Sequence, residues 1–530
     1  MKVAQLPFEK TGFFSKTMLD YLAKKESIKP FYHNYPDLVG FKNQLEEKEK
    51  SFNLESRNVL SKSLEKQYQG FDLSEATQNN IKLLKQKNTF TVTTGHQLNL
   101  FTGPLYFLYK IFSTINLAEE ISKKFPTKNI VPVYWMATED HDFEEINYFN
   151  FQEKKVQWNL ESGGAVGRLS TEGLSDVFQE FSSHLGSTKN AKELKKLFSE
   201  GYLKHKNLAD ATRFIANELF KDYGLVILDG DDLALKKMLS PIVKDELENE
   251  TSFHTVSETI LALEKNYKVQ VNPRAINLFY LSENSRERIL FENGIYKINN
   301  TNITFSKEEI LREVDENPLA FSPNVIVRPL YQEVVLPNLC YIGGGGEIAY
   351  WLELKSYFEK VAVPFPILLL RNSVQIVSEK QQKKLTSLKI SHQELFLKQQ
   401  DLLSKKVLEN TDINLDFNLK IESLQKQFTE LKEVAKKTDI SFVGAVNAQE
   451  KKQIKGLENL QRRLLRAEKR RQKELVDRIT DLQRQLLPNQ SLEERQRNFS
   501  DYYLAYGTPF LVTLKKVLKP LAHQFTILEL

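Results

Sequence analysis

The sequence predicts an α/β protein in which a doubly wound, Rossmann-like parallel sheet is followed by a C-terminal α-helical coiled coil. Two observations carry this prediction. Up to about residue 372, short apolar and β-branched stretches alternate with amphipathic helical stretches, as in proteins that build parallel sheets. Beyond that point glycine almost disappears, and leucines recur at spacings of seven and of three to four residues, which is typical of coiled coils.

Six apolar stretches, bounded by turn-forming or charged residues, are predicted to form the main strands. They are Thr89–Thr94, Ile130–Met136, Gly224–Gly230, Asn324–Arg328, Cys340–Ile342 and Phe365–Leu370. Shorter strands are expected at Lys268–Val271 and Gly294–Ile298, within a segment that we interpret as an insertion into the sheet. A hairpin is expected within Phe149–Leu160, and a helix over Leu105–Ile121.

The first predicted strand ends in Gly95, His96 and Gln97, and a Gly103-Pro104 turn leads into the next helix. Ligands of open parallel sheets bind at the carboxyl ends of the strands. Glycine permits close backbone approach, and a histidine at this place is able to bind phosphate or transfer a proton. The alternative is a strand-to-helix turn whose histidine is satisfied by backbone hydrogen bonds, and spacing alone does not separate the two.

The second predicted strand ends in a dense acidic cluster, Glu139-Asp140-His141-Asp142. Carboxylates in succession repel each other, and if buried they need a shared cation or proton. A ligand amine or Mg²⁺ would supply that charge, and we favour this interpretation because the preceding strand is so apolar. The alternative is a solvated turn whose aspartate caps the next helix. Zinc is disfavoured because a single histidine lies among carboxylates.

A third candidate is the four-glycine turn Gly343–Gly346, which stands before Glu347 and a predicted helix. It resembles a phosphate cradle only loosely, because the chain contains neither a G-x-G-x-x-G fingerprint nor a P-loop. The fold class therefore does not by itself predict NAD or a P-loop nucleotide. A further acidic strand end, Asp229–Asp232, is interpreted as a turn and helix cap.

The C-terminal region is predicted to form two long helical arms, separated by a less regular stretch, Thr411–Ala448. The leucines of the heptad repeat are Leu388, Leu395 and Leu402, then Leu424 and Leu431. The apolar positions of the second arm are Leu457, Leu460, Leu464, Ala467, Leu475, Ile479, Leu482 and Leu486. Dimerisation is the commonest purpose of such a seam. The segment Tyr502–Leu530 is expected to fold back and to end in a short strand, Phe525–Leu528.

Composition narrows the class of protein. The net charge is only +5 over 530 residues, so nucleic-acid binding is not indicated. Cys340 is the single cysteine, which excludes an intrachain disulfide and a multi-cysteine zinc site. The longest apolar run, Val361–Leu370, is too short to span a bilayer, and the first residues lack the apolar core of a signal peptide. We therefore expect a cytoplasmic protein with no membrane partner.

Together these motifs resemble the bacillithiol biosynthesis cysteine-adding enzyme family. The stretches that carry the resemblance are Thr94–Gln97, Gly103–Tyr106, Pro132–Asn147, Asn324–Gln332 and Gly343–Trp351. The likeness extends over essentially the whole chain. One departure is the run of four glycines, where the family pattern often has a proline.

The resemblance implies a Rossmann-like core with two connecting insertions and a C-terminal coiled coil through which two subunits form a homodimer. The expected domains are a helical cap over 1–88, the catalytic core over 89–372 with insertions at about 149–220 and 233–323, the coiled-coil arm over 373–500, and a tail over 501–530 that packs back on the core. The implied activity is the last step of bacillithiol synthesis, in which L-cysteine is joined through an amide bond to the amine of glucosaminyl-malate.

The family is similar in fold to class I nucleotidyltransferases, but the second histidine of their signature and a Lys-Met-Ser-Lys-Ser motif are missing here. ATP, with Mg²⁺, is therefore expected by analogy only as the activating co-substrate, and the sequence leaves the need for a metal open. Two other functions stay open as well. One is an aminoacyl-adenylate or nucleotidyl-transferring enzyme for another substrate, and the other is a coiled-coil scaffold with a degenerate core.

Residue roles follow from this hypothesis. His96 and Gln97 are predicted to stabilise negative charge on phosphate or carboxylate, and Asp140, His141 and Asp142 to hold a substrate ammonium and accept its proton. Arg328 or Arg371 is expected to clamp the malate carboxylates. The other predicted substrate-binding residues are Gly95, Asn99, Gly103, Tyr106, Glu139, Glu144, Asn147, Gly344, Gly345, Gly346, Glu347 and Asn372.

Overall fold

A computed structural model describes residues 2–530 of the chain. Fifteen strands lie within these residues. They are β1 (Lys2–Leu6), β2 (Thr89–His96), β3 (Asn129–Met136), β4 (Tyr148–Phe151), β5 (Lys154–Gln157), β6 (Val226–Asp229), β7 (Leu278–Leu281), β8 (Arg286–Glu292), β9 (Ile295–Ile298), β10 (Thr304–Phe305), β11 (Phe321–Pro323), β12 (Asn338–Gly343), β13 (Ile367–Leu370), β14 (Val374–Val377) and β15 (Phe525–Glu529).

The same residues form twenty-three α-helices. They are α1 (Lys16–Leu22), α2 (Leu38–Ser51), α3 (Leu54–Gln67), α4 (Glu75–Leu83), α5 (Tyr106–Lys124), α6 (Phe143–Ile146), α7 (Leu174–Leu185), α8 (Lys189–Tyr202), α9 (Leu208–Phe220), α10 (Leu233–Asn249), α11 (Thr251–Leu263), α12 (Lys307–Glu316), α13 (Val327–Val335), α14 (Gly345–Trp351), α15 (Lys355–Lys360), α16 (Glu379–Ser387), α17 (His392–Leu395), α18 (Gln399–Glu409), α19 (Asn418–Lys436), α20 (Ile440–Arg471), α21 (Lys473–Leu486), α22 (Phe499–Tyr506) and α23 (Thr508–Val517).

The sheet at the centre of the fold has five parallel strands in the order β13-β12-β2-β3-β6. Every residue of β2 is buried, because helices cover both faces of such a sheet. The chain leaves β2 towards β3 on one side, whereas β12 lies on the other side. The strand order therefore reverses between β2 and β12, and an open α/β sheet binds its ligands at this switch point.

Five of the six predicted main strands are confirmed, and the one at Asn324–Arg328 is wrong. The Asn324 side chain accepts hydrogen bonds from the backbone amides of Ile326 and Val327, at 2.8 and 3.2 Å. These bonds turn the backbone, so the apolar residues enter helix α13 and not a strand. The neighbouring strand, β11, lies before Asn324 and belongs to a different sheet.

Two long segments interrupt the central sheet. The first, between β3 and β6, contains the predicted hairpin as β4 and β5, followed by helices α7 to α9. The second, between β6 and β12, contains a five-stranded antiparallel sheet in the order β10-β9-β8-β7-β11. The strand expected at Gly294–Ile298 is confirmed as β9. The strand expected at Lys268–Val271 is wrong, because the amides of Gln270 and Val271 donate to the Glu353 carboxylate, at 2.7 and 3.3 Å, and not to a neighbouring strand.

A third sheet joins the two ends of the chain. Its central strand is β15, which confirms the strand expected at Phe525–Leu528, and it pairs antiparallel with β1 and parallel with β14. Neither β1 nor β14 was predicted, and β14 lies where the sequence suggested that the helical arm begins. The Phe525 ring packs against Phe8 and Phe396, with centroids 6.5 and 5.2 Å apart, so these distant segments share one core.

The C-terminal helices differ from the two predicted arms. Leu388, Leu395 and Leu402 do not lie on one continuous helix, since α16, α17 and α18 are short and separate, and these leucines are buried in the main core. The long helices are instead α19 and α20, which fold back on each other and bury Phe428, Ala435 and Val446. The stretch expected to be less regular is thus largely helical. Within residues 2–530, none of the helices is long and apolar enough to cross a membrane.

Candidate active site

A cavity of about 720 Å³ opens at the switch point of the central sheet. One wall is the end of β2 with the start of α5, and the opposite wall comes from the second insertion. The residues that line it and that the sequence predicted are Gly95, His96, Gln97, Tyr106, Glu139, Asp140, Arg328, Gly344, Gly346, Glu347 and Arg371. A Cβ atom at Gly95 would lie 3.5 Å from the Tyr341 hydroxyl and 3.6 Å from Arg328, which are ordinary van der Waals contacts, so the cavity does not by itself require glycine here.

An ion pair between Lys110, whose side chain is 3% exposed, and Glu347, which is 29% exposed, holds the floor of the cavity. Lys110 of α5 donates to the Gly95 carbonyl at 2.6 Å and to the Glu347 carboxylate at 2.7 Å. Glu347 also accepts hydrogen bonds from the Tyr341 hydroxyl and the Gly344 amide, at 2.7 and 2.8 Å. Burial alone would raise the pKa of Glu347, but the charge and hydrogen bond of Lys110 outweigh it and lower that pKa to about 2. The carboxylate is therefore ionised and fully committed to protein donors.

His96 faces this network as a neutral ring. It is 7% exposed, and the rings of Tyr106 and Phe107 pack against it with centroids 5.5 and 5.0 Å away. Burial, with the nearby charge of Lys110, lowers the pKa of His96 to about 3. At neutral pH the imidazole is thus able to donate one hydrogen bond and accept another, without carrying charge.

Two carboxylates of the acidic cluster have separate partners within the protein. Glu139 pairs with Lys236 of helix α10, which is 97 positions away in the chain. Asp140 accepts a hydrogen bond from the Gln97 amide at 2.9 Å. The pKa of Asp140 lies well below its usual range, because hydrogen bonds from His141 and Gln97 overcome its burial. Glu139 and Asp140 therefore each have a partner within the protein.

The rest of the cluster lies at the rim. His141 is exposed, and its Nδ1 lies 2.9 Å from the Arg286 guanidinium. Asp142 and Glu144 are also exposed and do not line the cavity. Arg286 in turn donates to the Pro323 carbonyl at 2.9 Å and stacks on the Phe279 ring, which fixes the edge of the second insertion beside the cluster.

Four other predicted residues support the site without lining the cavity. The Asn99 amide donates to the Glu145 carbonyl at 3.2 Å, and Gly103 has φ of +61° where a Cβ would meet Asn99 at 2.5 Å. These two residues shape the turn between β2 and α5. Asn147 is buried, and its carbonyl accepts a hydrogen bond from the Trp158 amide at 2.7 Å. Asn372 accepts from Ser113 and donates to the Lys519 carbonyl, both at 3.0 Å.

Gly345 also lies away from the main cavity, against Met18. It lines a side pocket of about 140 Å³ that shares Gly346, Arg371 and Arg495 with the main cavity.

Arginine residues dominate the remaining walls. Arg274 and Arg288 come from the second insertion, and Arg495 comes from the C-terminal region. Within residues 2–530, no carboxylate oxygen lies within the 4.0 Å salt-bridge distance of these three guanidinium groups. Arg328 has only neutral partners, Gln332 and the Tyr350 hydroxyl. The cavity therefore carries an excess of positive charge.

Arg371 is anchored from outside the core. It donates to Glu494 at 2.7 Å, and both side chains are almost completely buried, with 4% and 1% of their surface exposed. Glu494 also accepts from the Ser373 hydroxyl and the Val374 amide, each at 3.2 Å. This contact holds the following residue, Arg495, at the cavity.

Several residues that line the cavity were not predicted from the sequence. Lys110 carried the clearest signal, because it is the only charged residue between Tyr106 and Ala118 and lies one helical turn after Tyr106. Tyr341 follows a buried strand pattern and gave no such sign. Arg274, Arg288 and Arg495 lie on segments whose approach to the cavity depends on tertiary structure.

The donor set suits anions better than a protein-bound metal. Within residues 2–530, no group of three histidine, cysteine, aspartate or glutamate side chains converges as metal ligands. Guanidinium groups bind carboxylates and phosphates with paired hydrogen bonds. The residues therefore fit the phosphates of a nucleotide, with any Mg²⁺ carried mainly by those phosphates and by water.

Comparison with known proteins identifies relatives along the full length. The family described as "Bacillithiol biosynthesis BshC, N-terminal Rossmann-like domain" matches residues 1–372, and "Bacillithiol biosynthesis BshC, C-terminal coiled-coil domain" matches residues 374–530. A protein of Flavobacterium psychrophilum named "Putative cysteine ligase BshC" is 57% identical over 99% of each chain. Proteins of the same name from Flavobacterium johnsoniae and Cytophaga hutchinsonii are 55% and 36% identical, over 99% of each chain and over 94% and 93%, respectively.

A solved structure titled "putative arginyl t-RNA synthetase" from Campylobacter jejuni aligns with 83% of this chain and 98% of its own. The TM-score is 0.23 and the identity 8%, too low to equate the two folds.

Replacement of Lys110 by methionine is expected to destabilise the protein by about 3 kcal/mol, because it leaves the Glu347 carboxylate at the cavity floor without its cation. The free energy of unfolding, measured with urea, tests this. The double variant Lys110→Met/Glu347→Gln should recover most of the loss. Lys515→Met, which breaks a surface pair with Glu119, should cost less than about 1 kcal/mol. Equal losses of unfolding free energy in Lys110→Met and Lys515→Met would contradict the role given to the Lys110–Glu347 pair.

The neutral state of His96 predicts a pH dependence of stability. The unfolded chain takes up a proton on this residue below about pH 6.5, whereas the folded protein does so only near pH 3. His96 therefore contributes stability above pH 6.5 that is lost as the pH falls towards 3. Between pH 7.5 and 5, the unfolding free energy of wild type should fall by roughly 2 kcal/mol more than that of His96→Gln. The exposed residue His254 offers a control as His254→Gln, and an equal pH slope in wild type and His96→Gln would refute the neutral state.

Proposed function

Because the chain belongs to the BshC family of bacillithiol biosynthesis, we propose that it is a ligase that joins L-cysteine through an amide bond to the amine of glucosaminyl-malate. This is the last step of bacillithiol synthesis. The name of the relatives, cysteine ligase, supports cysteine as one substrate. That glucosaminyl-malate is the second substrate, and that an amide bond is formed, are more specific proposals. They rest on how well the cavity suits cysteine, glucosaminyl-malate and a nucleotide.

The observation that carries the proposal is the excess of arginine over free carboxylate in the cavity. Lys110 is neutralised by Glu347, so the charge left for a ligand is that of Arg274, Arg288, Arg328 and Arg495. A malyl group presents two carboxylates and a nucleotide presents phosphates, and both are natural partners for guanidinium groups. A cavity of about 720 Å³ has room for a ligand of this size.

An amine and a carboxylate do not condense at neutral pH unless the carboxylate is activated. We infer that ATP supplies this activation. A carboxylate oxygen of cysteine attacks ATP and takes either its nucleotidyl group, which releases pyrophosphate, or its terminal phosphoryl group, which releases ADP. The amine nitrogen of glucosaminyl-malate then attacks the carbonyl carbon, its surplus proton leaves, and the phosphate group departs with that oxygen. The arginines are the residues that would hold the phosphates.

The other side chains have roles consistent with their charge states. His96 is neutral and donates a hydrogen bond to the oxygen on which negative charge develops. Asp140 is ionised and placed by Gln97, which suits it to hold the ammonium of cysteine. His141 and Asp142 lie at the exposed rim, where the amine's proton is able to pass to solvent. Arg371 is committed to Glu494, so Arg328 is the better of the two predicted malate clamps.

A second candidate keeps cysteine activation but transfers the cysteinyl group to another acceptor. It differs in one measurable respect, because cysteine would then be activated without glucosaminyl-malate. A pure scaffold role is disfavoured because a scaffold has no need for a cavity at the switch point of the sheet that is lined by unpaired arginines.

The purified protein, supplied with L-cysteine, glucosaminyl-malate and ATP, should form bacillithiol. Omission of any one substrate should abolish the product. Arg495→Gln should raise the KM for glucosaminyl-malate or for ATP by about tenfold, the loss of roughly 1.4 kcal/mol that one charged hydrogen bond commonly contributes.

The matched control for that variant is Arg484→Gln, an exposed arginine paired with Asp481, which should leave both KM values unchanged. Accumulation of activated cysteine with no product from glucosaminyl-malate would favour the second candidate. No consumption of cysteine under any of these conditions would reject both.

We also propose that two copies associate through helix α20. Its leucines Leu460 and Leu464 are 52% and 36% exposed although they follow the heptad-like seam, which is typical of side chains that a second helix covers. Light scattering should give the mass of a dimer for wild type and of a monomer for Leu460→Glu/Leu464→Glu. Val512→Glu, at an equally exposed site on α23, should remain dimeric. A monomeric wild type would refute this proposal.

A further inference from the structure

A second, enclosed cavity lies directly behind His96, between the β2–α5 turn and helix α9 of the first insertion. Its volume is about 10 Å³, which is room for one water molecule. His96 lines both this cavity and the catalytic one. Gln97 also lines both cavities, so the small cavity adjoins the larger one at these two residues.

Four polar atoms without a partner converge on this cavity. They are His96 Nε2, Asn99 Oδ1, Thr102 Oγ1 and Thr212 Oγ1, none of which has a hydrogen-bond partner within residues 2–530. Each of these side chains is more than nine-tenths buried, with exposures between 7% and 9%. A buried polar atom is rarely left unpaired in a folded protein, so four such atoms at one cavity point to a common hydrogen-bond partner.

The backbone is held in an unusual conformation to bring one of these atoms inward. Phe101 and Thr102 both have positive φ, +47° and +68°, which non-glycine residues rarely adopt. The Tyr202 hydroxyl accepts a hydrogen bond from the Phe101 amide at 2.7 Å, and the Asn498 amide donates to the Phe101 carbonyl at 2.8 Å. Strain of this kind persists where the surrounding structure requires it, and it clusters at functional sites.

We propose that one water molecule binds in this cavity to all four atoms and fixes His96 as the tautomer that carries its hydrogen on Nδ1. A water molecule donates two hydrogen bonds and accepts two. Thr102 and Thr212 each have one hydroxyl hydrogen with no acceptor in the protein, so both donate to the water. Asn99 Oδ1 is an acceptor, because the amide nitrogen of the same group already donates to Glu145.

The water then has one hydrogen left to donate. Of the four atoms, only His96 Nε2 remains, and it accepts this hydrogen bond through a lone pair. Nε2 is thus unprotonated, and Nδ1 carries the hydrogen of the neutral ring. Thr212, Thr102 and Asn99 act as positioning residues, and helix α9 of the first insertion controls the protonation pattern of a side chain in the catalytic cavity. In terms of the proposed ligase, His96 then donates a hydrogen bond and does not act as a base.

Nitrogen NMR of protein labelled with ¹⁵N-histidine tests this without any substrate, so its outcome is independent of the proposed ligase activity. The signals of His96 are assigned by their loss in His96→Gln. Wild type at pH 7.5 should show an unprotonated Nε2 and a protonated Nδ1. A protonated Nε2 in wild type would overturn the proposal, and the protonation state itself is measured on the wild-type protein.

Variants of Thr212 make the test specific. Thr212→Val removes one donor, so the water gains a free lone pair to which Nε2–H is able to donate, and both tautomers should become populated. Thr212→Ser keeps the hydroxyl and should restore the wild-type signals. Thr255→Val is the matched control, because the Thr255 hydroxyl bonds within its own helix, to the Thr251 carbonyl at 2.8 Å. An unchanged tautomer in Thr212→Val, or the same change in Thr255→Val, would refute the role of Thr212.

A crystal structure gives an independent readout of the water. Density for a single water should lie within about 3.2 Å of at least three of the four atoms in wild type. A cavity without density, or a direct hydrogen bond between His96 Nε2 and a protein group, would contradict the proposal.

Discussion

The site depends above all on the ion pair between Lys110 and Glu347. It links three elements that are far apart in sequence: the end of β2 through the Gly95 carbonyl, helix α5 through Lys110, and the start of α14 through Glu347. Removal of the Lys110 charge and most of the Glu347 carboxylate from water is costly, and this cost is offset because each charge has more than one hydrogen-bond partner. The pair also decides the electrostatics of the cavity. Because the charges of Lys110 and Glu347 neutralise each other, the arginines on the other walls determine the net charge of the cavity. They favour a negatively charged ligand.

Much of the central sheet was predictable because its strands are buried on both faces and therefore consist of continuous apolar runs. The wrong prediction at Asn324–Arg328 arose from the same rule. An apolar run of that length fits a strand or a buried helix, and the capping side chain of Asn324 decided between them. Strands β1 and β14 were missed because they form a small sheet whose central strand is β15, from the far end of the chain. The heptad of Leu388 to Leu402 was misread because a spacing of seven also arises when successive short helices each bury one leucine.

The sequence located the cavity-lining residues that belong to a strand end, but it did not reveal the partners that distant segments supply. Gly95, His96 and Gln97 lie at the cavity because a strand end in a parallel sheet has a defined place. The acidic cluster was correctly placed beside them, but its charge balance was not predictable, since Lys236 approaches Glu139 from a helix 97 positions later. For the same reason, the excess of arginine at the cavity could not be predicted from the sequence. Arg274, Arg288 and Arg495 belong to three segments that meet only in the folded protein.

The position of Arg495 bears on how the two parts of the chain work together. The C-terminal region begins next to β13, passes through the long helices α19 to α21, and then returns to the cavity with Glu494 and Arg495. Because Glu494 is buried against Arg371, displacement of this segment would break an ion pair inside the core and remove a cation from the substrate cavity at the same time. A coiled coil that served only to join subunits would not need such a contact. The arrangement therefore makes the cavity complete only when the segment that carries Glu494 and Arg495 is docked on the core.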